Sequence, residues 1–314
     1  MTATNSTIAL RKADFSSRDA EGKVAFYVVM WKRKGLDREL FDNYWRDVHG
    51  PVCARLPAQY QYWQFHVDCN EGGIWPTIDG IDYNSAPEDQ FHAIAELTFK
   101  SVEDRSTWFK AAAILMNDEH NIFSKAIGYN TSIGNSKTFV DGILTGDANG
   151  STMSELIKLI VMLKKQDSVD IEAFRNYLFS RLAPTIAQCQ AVLKLRVHQF
   201  DEVDNSRPPA AGVDHSEPHD KNYQGAMEIA FVNKLEMERF FTSSEYLSTL
   251  AEQPKYIKQL CTFPNRNEYT FVYDSKLTLA GQRGSSTAQL ITRIGAVNQL
   301  QEDIAQLMLY SKLT

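Results

Sequence analysis

The chain has 314 residues, 43% hydrophobic and 23% charged, which gives apolar content for a sizeable core and length for about two domains. Its 33 Lys and Arg against 39 Asp and Glu leave a net charge of −6 with no long basic run, so nothing marks a nucleic-acid partner. No apolar stretch approaches the ~20 residues of a membrane span, and the four cysteines form no CxxC pair, which argues against a disulfide framework or a cysteine zinc site. A cytoplasmic protein is expected.

Residues 1–23 are polar and read as a flexible arm. Ala25 to Arg33 is rich in Val and aromatics and reads as a strand. Leu40, Phe41, Tyr44, Trp45 and Val48 then share one helix face, with Asp37 as N-cap and Gly50-Pro51 as the stop. Tyr60 to Asp68 and Phe91 to Phe99 alternate as second and third strands. Val102 to about Ile127 reads as a helix broken near Asn117-Asp118, and Lys137 to Leu144 as a last strand. The segments 69–90 and 202–223 are rich in Gly, Pro, Asp and Asn and read as long loops, the lengths of lids or binding loops.

The chain repeats itself. Asp37, Phe41, Tyr44 and Pro51 recur as Asp170, Phe174, Tyr177 and Pro184, a shift of 133 (174 − 41). Glu96, Phe99 and Phe109 recur as Glu228, Phe231 and Phe241, a shift of 132 (241 − 109). Each half therefore has the order βαββαβ, the ferredoxin-like split unit. An α+β fold follows, in which two ferredoxin-like sheets face each other as a pseudo-symmetric barrel around an interior cavity. The expected division is 24–148 for the first repeat, 149–278 for the second, and 279–314 for a polar hinge and a C-terminal helix. Leu290, Ile291, Ile294, Val297, Leu300 and Ile304 give that helix an apolar face for the barrel or for a second copy in a homodimer.

The run Phe41-x-x-Tyr44-Trp45-x-x-x-His49-x-Pro51 resembles the signature of the EthD family, whose members adopt dimeric α+β barrel folds. In the second half Trp45 becomes Leu178 and His49 becomes Leu182, so the chain resembles a tandem EthD protein with one degenerate repeat. The resemblance implies a barrel and a pocket. It leaves the chemistry among cofactor-free cyclases, decarboxylases and isomerases, monooxygenases, and haem proteins.

All five tryptophans lie in the first half, which points to one specialised pocket there. His49, one turn after Trp45, is a candidate general acid or base. On the second strand Tyr62, Gln64 and His66 alternate with Trp63 and Phe65. On the third, His92 and Glu96 alternate with Ala93, Ala95 and Leu97. The polar sets are expected to face the barrel interior and the apolar sets the helices. The expected catalytic residues are thus His49, His92, Glu96 and His66, with Glu96 an acid of raised pKa. Tyr27, Trp31, Tyr44, Trp45, Tyr62 and Gln64 would line the substrate, with Tyr62 or Tyr27 stabilising an oxyanion. The expected function is that of a cofactor-independent lyase, cyclase or decarboxylase acting on a hydrophobic aromatic or polyketide-like molecule. A haem enzyme, with His198 a weak candidate ligand, and a non-catalytic binder are the alternatives. No metal is expected: His215 and His219 have a ligand-like spacing, but the loop around them holds Pro218 and reads as solvated. No phosphate loop, nucleophile elbow or HExxH motif is present.

Overall fold

The computed structural model describes residues 16–142, 151–152, 156–207 and 210–312. Helix α1 (Ser16–Glu21) precedes β1 (Val24–Lys32). Then come α2 (Arg38–Tyr44), a π-helical turn Trp45–His49, and α3 (Gly50–Ala54). The first half continues through β2 (Gln61–Val67), β3 (Ala93–Phe99), α4 (Val102–Ala111), α5 (Ala113–Ile122), β4 (Phe123–Asn130) and β5 (Ser136–Asp141). The short β6 (Ser151–Thr152) leads into the second half. That half holds β7 (Ile157–Lys165), α6 (Ile171–Tyr177), a second π turn Leu178–Leu182, α7 (Ala183–Ile186), β8 (Lys194–Gln199) and β9 (Gly225–Phe231). It ends with α8 (Lys234–Phe241), α9 (Ser244–Thr249), α10 (Gln253–Tyr256) and β10 (Ile257–Tyr273). The chain closes with β11 (Lys276–Leu277), α11 (Leu279–Arg283), α12 (Ser285–Ile294) and α13 (Glu302–Tyr310).

The strands run in the order β4-β1-β3-β2-β10-β7-β9-β8-β5, antiparallel throughout. The 17-residue β10 pairs β7 with its first part and β2 with its second, and so splices the two sheets. Its counterpart in the first half is broken in two: β4 pairs β1 and β5 pairs β8. Bonds from Asp201 N to Asn130 O and from Gln199 N to Asn135 O close the ring there. The duplication is thus a pseudo-symmetric α+β barrel of two ferredoxin-like halves.

Several expectations shift. The helix expected to run to Ile127 ends at Ile122, and Phe123–Ile127 belongs to β4. Gly50-Pro51 does not stop the first helix. Pro51 has no N–H to donate, and Gly50 N reaches five residues back to Trp45 O, so the helix widens into a π turn and runs on through Ala54. Gly50 is required there, because a Cβ would lie 2.7 Å from the Phe271 ring. Of the arm 1–23, residues 1–15 lie outside the described residues. The rest includes α1, whose Asp19 accepts from Thr138 N and from Arg196. Leu144 also lies outside them. The expected hinge at 281–286 is largely helical, and Gly281 is pressed against the Phe271 carbonyl. The C-terminal apolar face is divided: Ala288 is buried, with Ile291 packed beside it, while Leu290, Ile294, Val297 and Leu300 are exposed. Among the described residues no helix is long and apolar enough to cross a membrane.

The barrel interior is filled, not hollow. Tyr27, Val29, Trp31, Trp63, Phe65 and Ile94 pack there against Ile160, Met162 and Phe263 of the second half. Among them lies a buried ion network. Arg196 Nη2 sits 2.7 Å from Glu96 Oε1, Lys158 Nζ 2.8 Å from Glu268, and Lys194 Nζ 2.6 Å from Glu228. The two long insertions cross over. The first carries Ile74, Trp75, Ile78 and Tyr83 onto the second half's helix–sheet core, and the second carries Val203, Arg207, Val213 and His215 onto the first half. They obey the same repeat: the isolated bridges Asp82↔Gln259 and Lys125↔Asp214 are related by 132 (214 − 82) and 134 (259 − 125).

Candidate active site

A cavity of about 510 Å³ opens between the first half's sheet and its helices, on the face of the sheet opposite the barrel interior. Phe26, Val28 and Met30 of β1 form its floor, and Trp108, Phe109 and Leu115 of α4 and α5 its roof. The corresponding space in the second half is solid. There Trp75 packs edge-on against Phe241 at 5.1 Å and beside Phe240 and Tyr246 at 6.0 Å.

The location overturns the face assignment for the second strand. Tyr62, Gln64 and His66 turn toward the helices, and Trp63, Phe65 and Val67 fill the barrel. The interior between two sheets is dry on both sides and takes the apolar set. The helix side supplies partners for the polar set: Gln64 Nε2 donates to Trp45 O (3.1 Å) and to Tyr62 Oη (2.7 Å). His66 Nδ1 lies 2.9 Å from Asp42 Oδ1, and its ring packs on Trp45 at 4.6 Å, behind the cavity wall. Burial lowers its pKa against the pull of Asp42.

The third strand splits. Glu96 does face the interior, but the Arg196 guanidinium beside it overcomes burial and holds its carboxyl well below the usual range, so it is no acid of raised pKa. His92 lies just before β3, on the helix side, with its ring 6.4 Å from Phe41. Burial, with Arg38 and Lys32 nearby, pushes its pKa down to about 4. Tyr27 and Trp31 belong to the barrel core: Tyr27 packs on His198 and Phe200, and Trp31 Nε1 donates to Glu88 O. His198 is wedged between Tyr27 and Phe200, its Nδ1 2.9 Å from Ser136 Oγ and its Nε2 3.4 Å from Glu96, a setting that does not fit a haem ligand.

The sequence-derived residues that do line the cavity are Trp45, His49 and Tyr62. His49, buried in the π turn, lies with Nδ1 2.8 Å from Asp118 Oδ2 on α5. Asp118 also accepts from Tyr44 Oη (2.7 Å) and Asn121 Nδ2 (2.9 Å). The hydrogen bond from His49 holds its carboxyl well below the usual carboxylate range. An ionised carboxylate only accepts, so Nδ1 carries a proton, and in the neutral imidazole the lone pair lies on Nε2. Tyr44 therefore orients Asp118 from outside the cavity lining. Burial raises the Tyr62 phenol far above its ordinary pKa, which keeps it neutral.

Four of the polar lining residues that sequence reasoning did not place there carry charge or a ring nitrogen toward the cavity's surroundings: Glu119, His215, Arg105 and Arg207. Glu119 pairs with His215 of the crossing insertion (2.7 Å), while His219 of the same loop pairs with Glu202 at the surface, far from any shared ligand. Asp118 was also missed, although a signal existed: Leu115, Asp118-Glu119 and Ile122 recur at helical spacing, so these acids share the buried face of α5.

The fold and cavity define a duplicated dimeric α+β barrel with one lobe open between sheet and helices and the other plugged. Residues 33–126 match the family model of the EthD domain. No curated protein matches the chain in sequence. Among solved structures, it is similar to a provisionally assigned monooxygenase from Fusobacterium nucleatum (6% identity, 79% of this chain and 92% of that one, TM-score 0.48). It is also similar to an anthrone oxidase-like protein (9%, 80% and 94%, 0.46). A chlorite dismutase variant from Candidatus Nitrospira defluvii is a third such structure (9%, 79% and 92%, 0.37).

Proposed function

We propose that the first half is a cofactor-independent enzyme that abstracts a proton from carbon next to a carbonyl in a hydrophobic aromatic or polyketide-like molecule. β-Elimination or cyclisation onto a second carbonyl then follows from the enolate, and a decarboxylation would reach the same enolate by loss of CO₂. The observation that carries this reading is the His49–Asp118 pair, with His49 on the wall of a largely apolar cavity. Asp118 fixes the tautomer, His49 Nε2 takes the proton, and Asp118 stabilises the imidazolium that forms. Tyr62, kept neutral, is placed to donate to the developing oxyanion. The aromatic walls exclude water from the charge as it forms.

The test uses anthrone, a flat tricyclic carbon acid, in D₂O. The parent protein should exchange the methylene protons, followed by NMR, and His49→Ala and Asp118→Asn should lose most of that rate. Equal exchange in all three proteins would remove the base from His49. A Soret band on the purified protein would replace the reading with a haem enzyme.

A further inference from the structure

The two halves place different residues at one equivalent point. Trp75 packs on Phe241 at 5.1 Å in the second half, and Arg207 lies over Phe109 at 4.4 Å and Phe26 at 4.9 Å in the first. Both pairs are related by 132 (207 − 75 and 241 − 109). Where one half carries an indole plug, the other carries a guanidinium on the wall of an open cavity. Among the described residues the close carboxylate to Arg207 is Asp204, 3.7 Å from Nε and beyond hydrogen-bond reach, so its terminal amino groups remain for a ligand.

Arg105 lines the same wall. Its Nη1 donates to the carbonyls of Ala25 (3.0 Å) and Thr131 (2.9 Å), which leaves Nη2 and Nε. Burial holds its pKa down, with the Asp201 carboxylate opposing and the neighbouring Arg207 charge adding to the fall, so the two guanidiniums feel each other. Trp108 lines the same cavity, but its Nε1 is covered by protein atoms and is not presented to it.

These donors sit at the far end from the base. His49 packs on Phe123 at the start of β4 (5.8 Å), whereas a Cβ on Gly128 would lie 3.3 Å from Arg207 Nη1 and Arg105 holds Thr131 just past the strand's end. Phe123 to Gly128 is five residues, about 16 Å at ~3.3 Å each.

We propose that the ligand is an elongated aromatic molecule with an oxyanion, carboxylate or phenolate, at one end, and that Arg207 and Arg105 bind that end. The oxyanion site stands on its own geometry, and only the placement of the reacting carbon beside His49 rests on the proton-abstraction reading.

The probes are anthracene-2-carboxylate, its neutral isostere anthracene-2-methanol, and 2-hydroxyanthracene on either side of its ionisation, all titrated by fluorescence. The parent should bind the carboxylate at least tenfold more tightly than the methanol. Arg207→Gln should abolish that preference, and Arg207→Lys retain part of it. Arg207→Trp, copying the other half, should block all three probes. His49→Ala should keep the preference even where it loses proton exchange, which separates failure of this inference from failure of the base. Tighter binding of hydroxyanthracene only when ionised, with no carboxylate preference, would assign the site to phenolates. Equal binding of carboxylate, methanol and both forms of the phenol, binding of none, or a preference that survives Arg207→Gln in a variant with parental circular dichroism would overturn the proposal.

Discussion

His49 illustrates how one residue's setting decides the reading of a variant. It is buried inside a continuous helix and bonded to Asp118, not perched at a helix end, so His49→Ala removes both a proton acceptor and a partner of a half-buried carboxylate. Turnover should fall by ~10²–10⁴-fold, and stability by about 1–3 kcal/mol for the orphaned partner. Asp118→Asn keeps the volume but removes the fixed negative charge. It should lower turnover with a smaller change in the urea midpoint, and steady-state rates beside denaturation curves check both. His92 gives a pH dependence. Its pKa lies near 4 in the fold, below the 6.5 of a free imidazole, so between these values the unfolded chain binds more protons than the native one. Stability from this residue is present above pH ~6.5 and lost as pH falls toward 4. The urea midpoint should therefore rise across that window, and less steeply in His92→Gln. An identical slope in the two proteins would show that His92 does not set it.

At the scale of the element, the π turns and the crossing insertions divide labour between the halves. Leu182, the counterpart of His49, is buried in the plugged lobe, and Leu182→Ala should cost roughly 2–5 kcal/mol while the folded remainder keeps its activity. Trp75→Ala should cost about 3–5 kcal/mol and open a second, dry cavity, seen as xenon bound at the Trp75 site in the variant and not at that site in the parent. Which parts of these elements were legible follows from what periodicity can encode. The duplication could be read because the repeat fixes equivalent buried positions such as Phe41 and Phe174, and the helix around Trp45 because five apolar residues fall on one face. The strand faces were not. Both faces of β2 are buried, so alternation of Tyr62, Gln64 and His66 with Trp63 and Phe65 names two sets without saying which surface is drier. His49 and Trp45 stand in the signature and line the cavity, whereas Tyr62 lines it from the face opposite to the one the alternation suggested. Arg207 and His215 could not be, because they reach the cavity from a loop about 160 residues away from His49, and only the crossing of the insertions brings them together.

For the whole molecule, the ion network makes the halves one cooperative body. Glu96 of the first half holds Arg196 of the second, both almost fully buried. Removing one member of such a pair leaves an uncompensated charge, so Glu96→Gln should cost about 3–5 kcal/mol with little effect on the turnover of protein that remains folded. Calorimetry should show a single transition in the parent, at a higher temperature than in the variant. The Glu228 carboxyl in the same network is raised by burial and by the neighbouring Glu268 charge, against Lys194, so its contribution weakens as pH rises, the reverse of His92.

The exchange of insertions has a consequence for symmetry. In a barrel assembled from two identical chains, the lid of each copy covers the other, and any change to a lid appears in both sites at once: a plug in one is a plug in both. Joining the copies in one chain releases that constraint. Trp75 can then seal one chamber and stiffen the scaffold while Arg207 keeps the other chamber open. Each lid residue acts on the opposite lobe, so a selection experiment on this chain should find second-lobe loop changes that alter ligand choice and first-lobe loop changes that alter heat resistance, a crossed inheritance of the two traits.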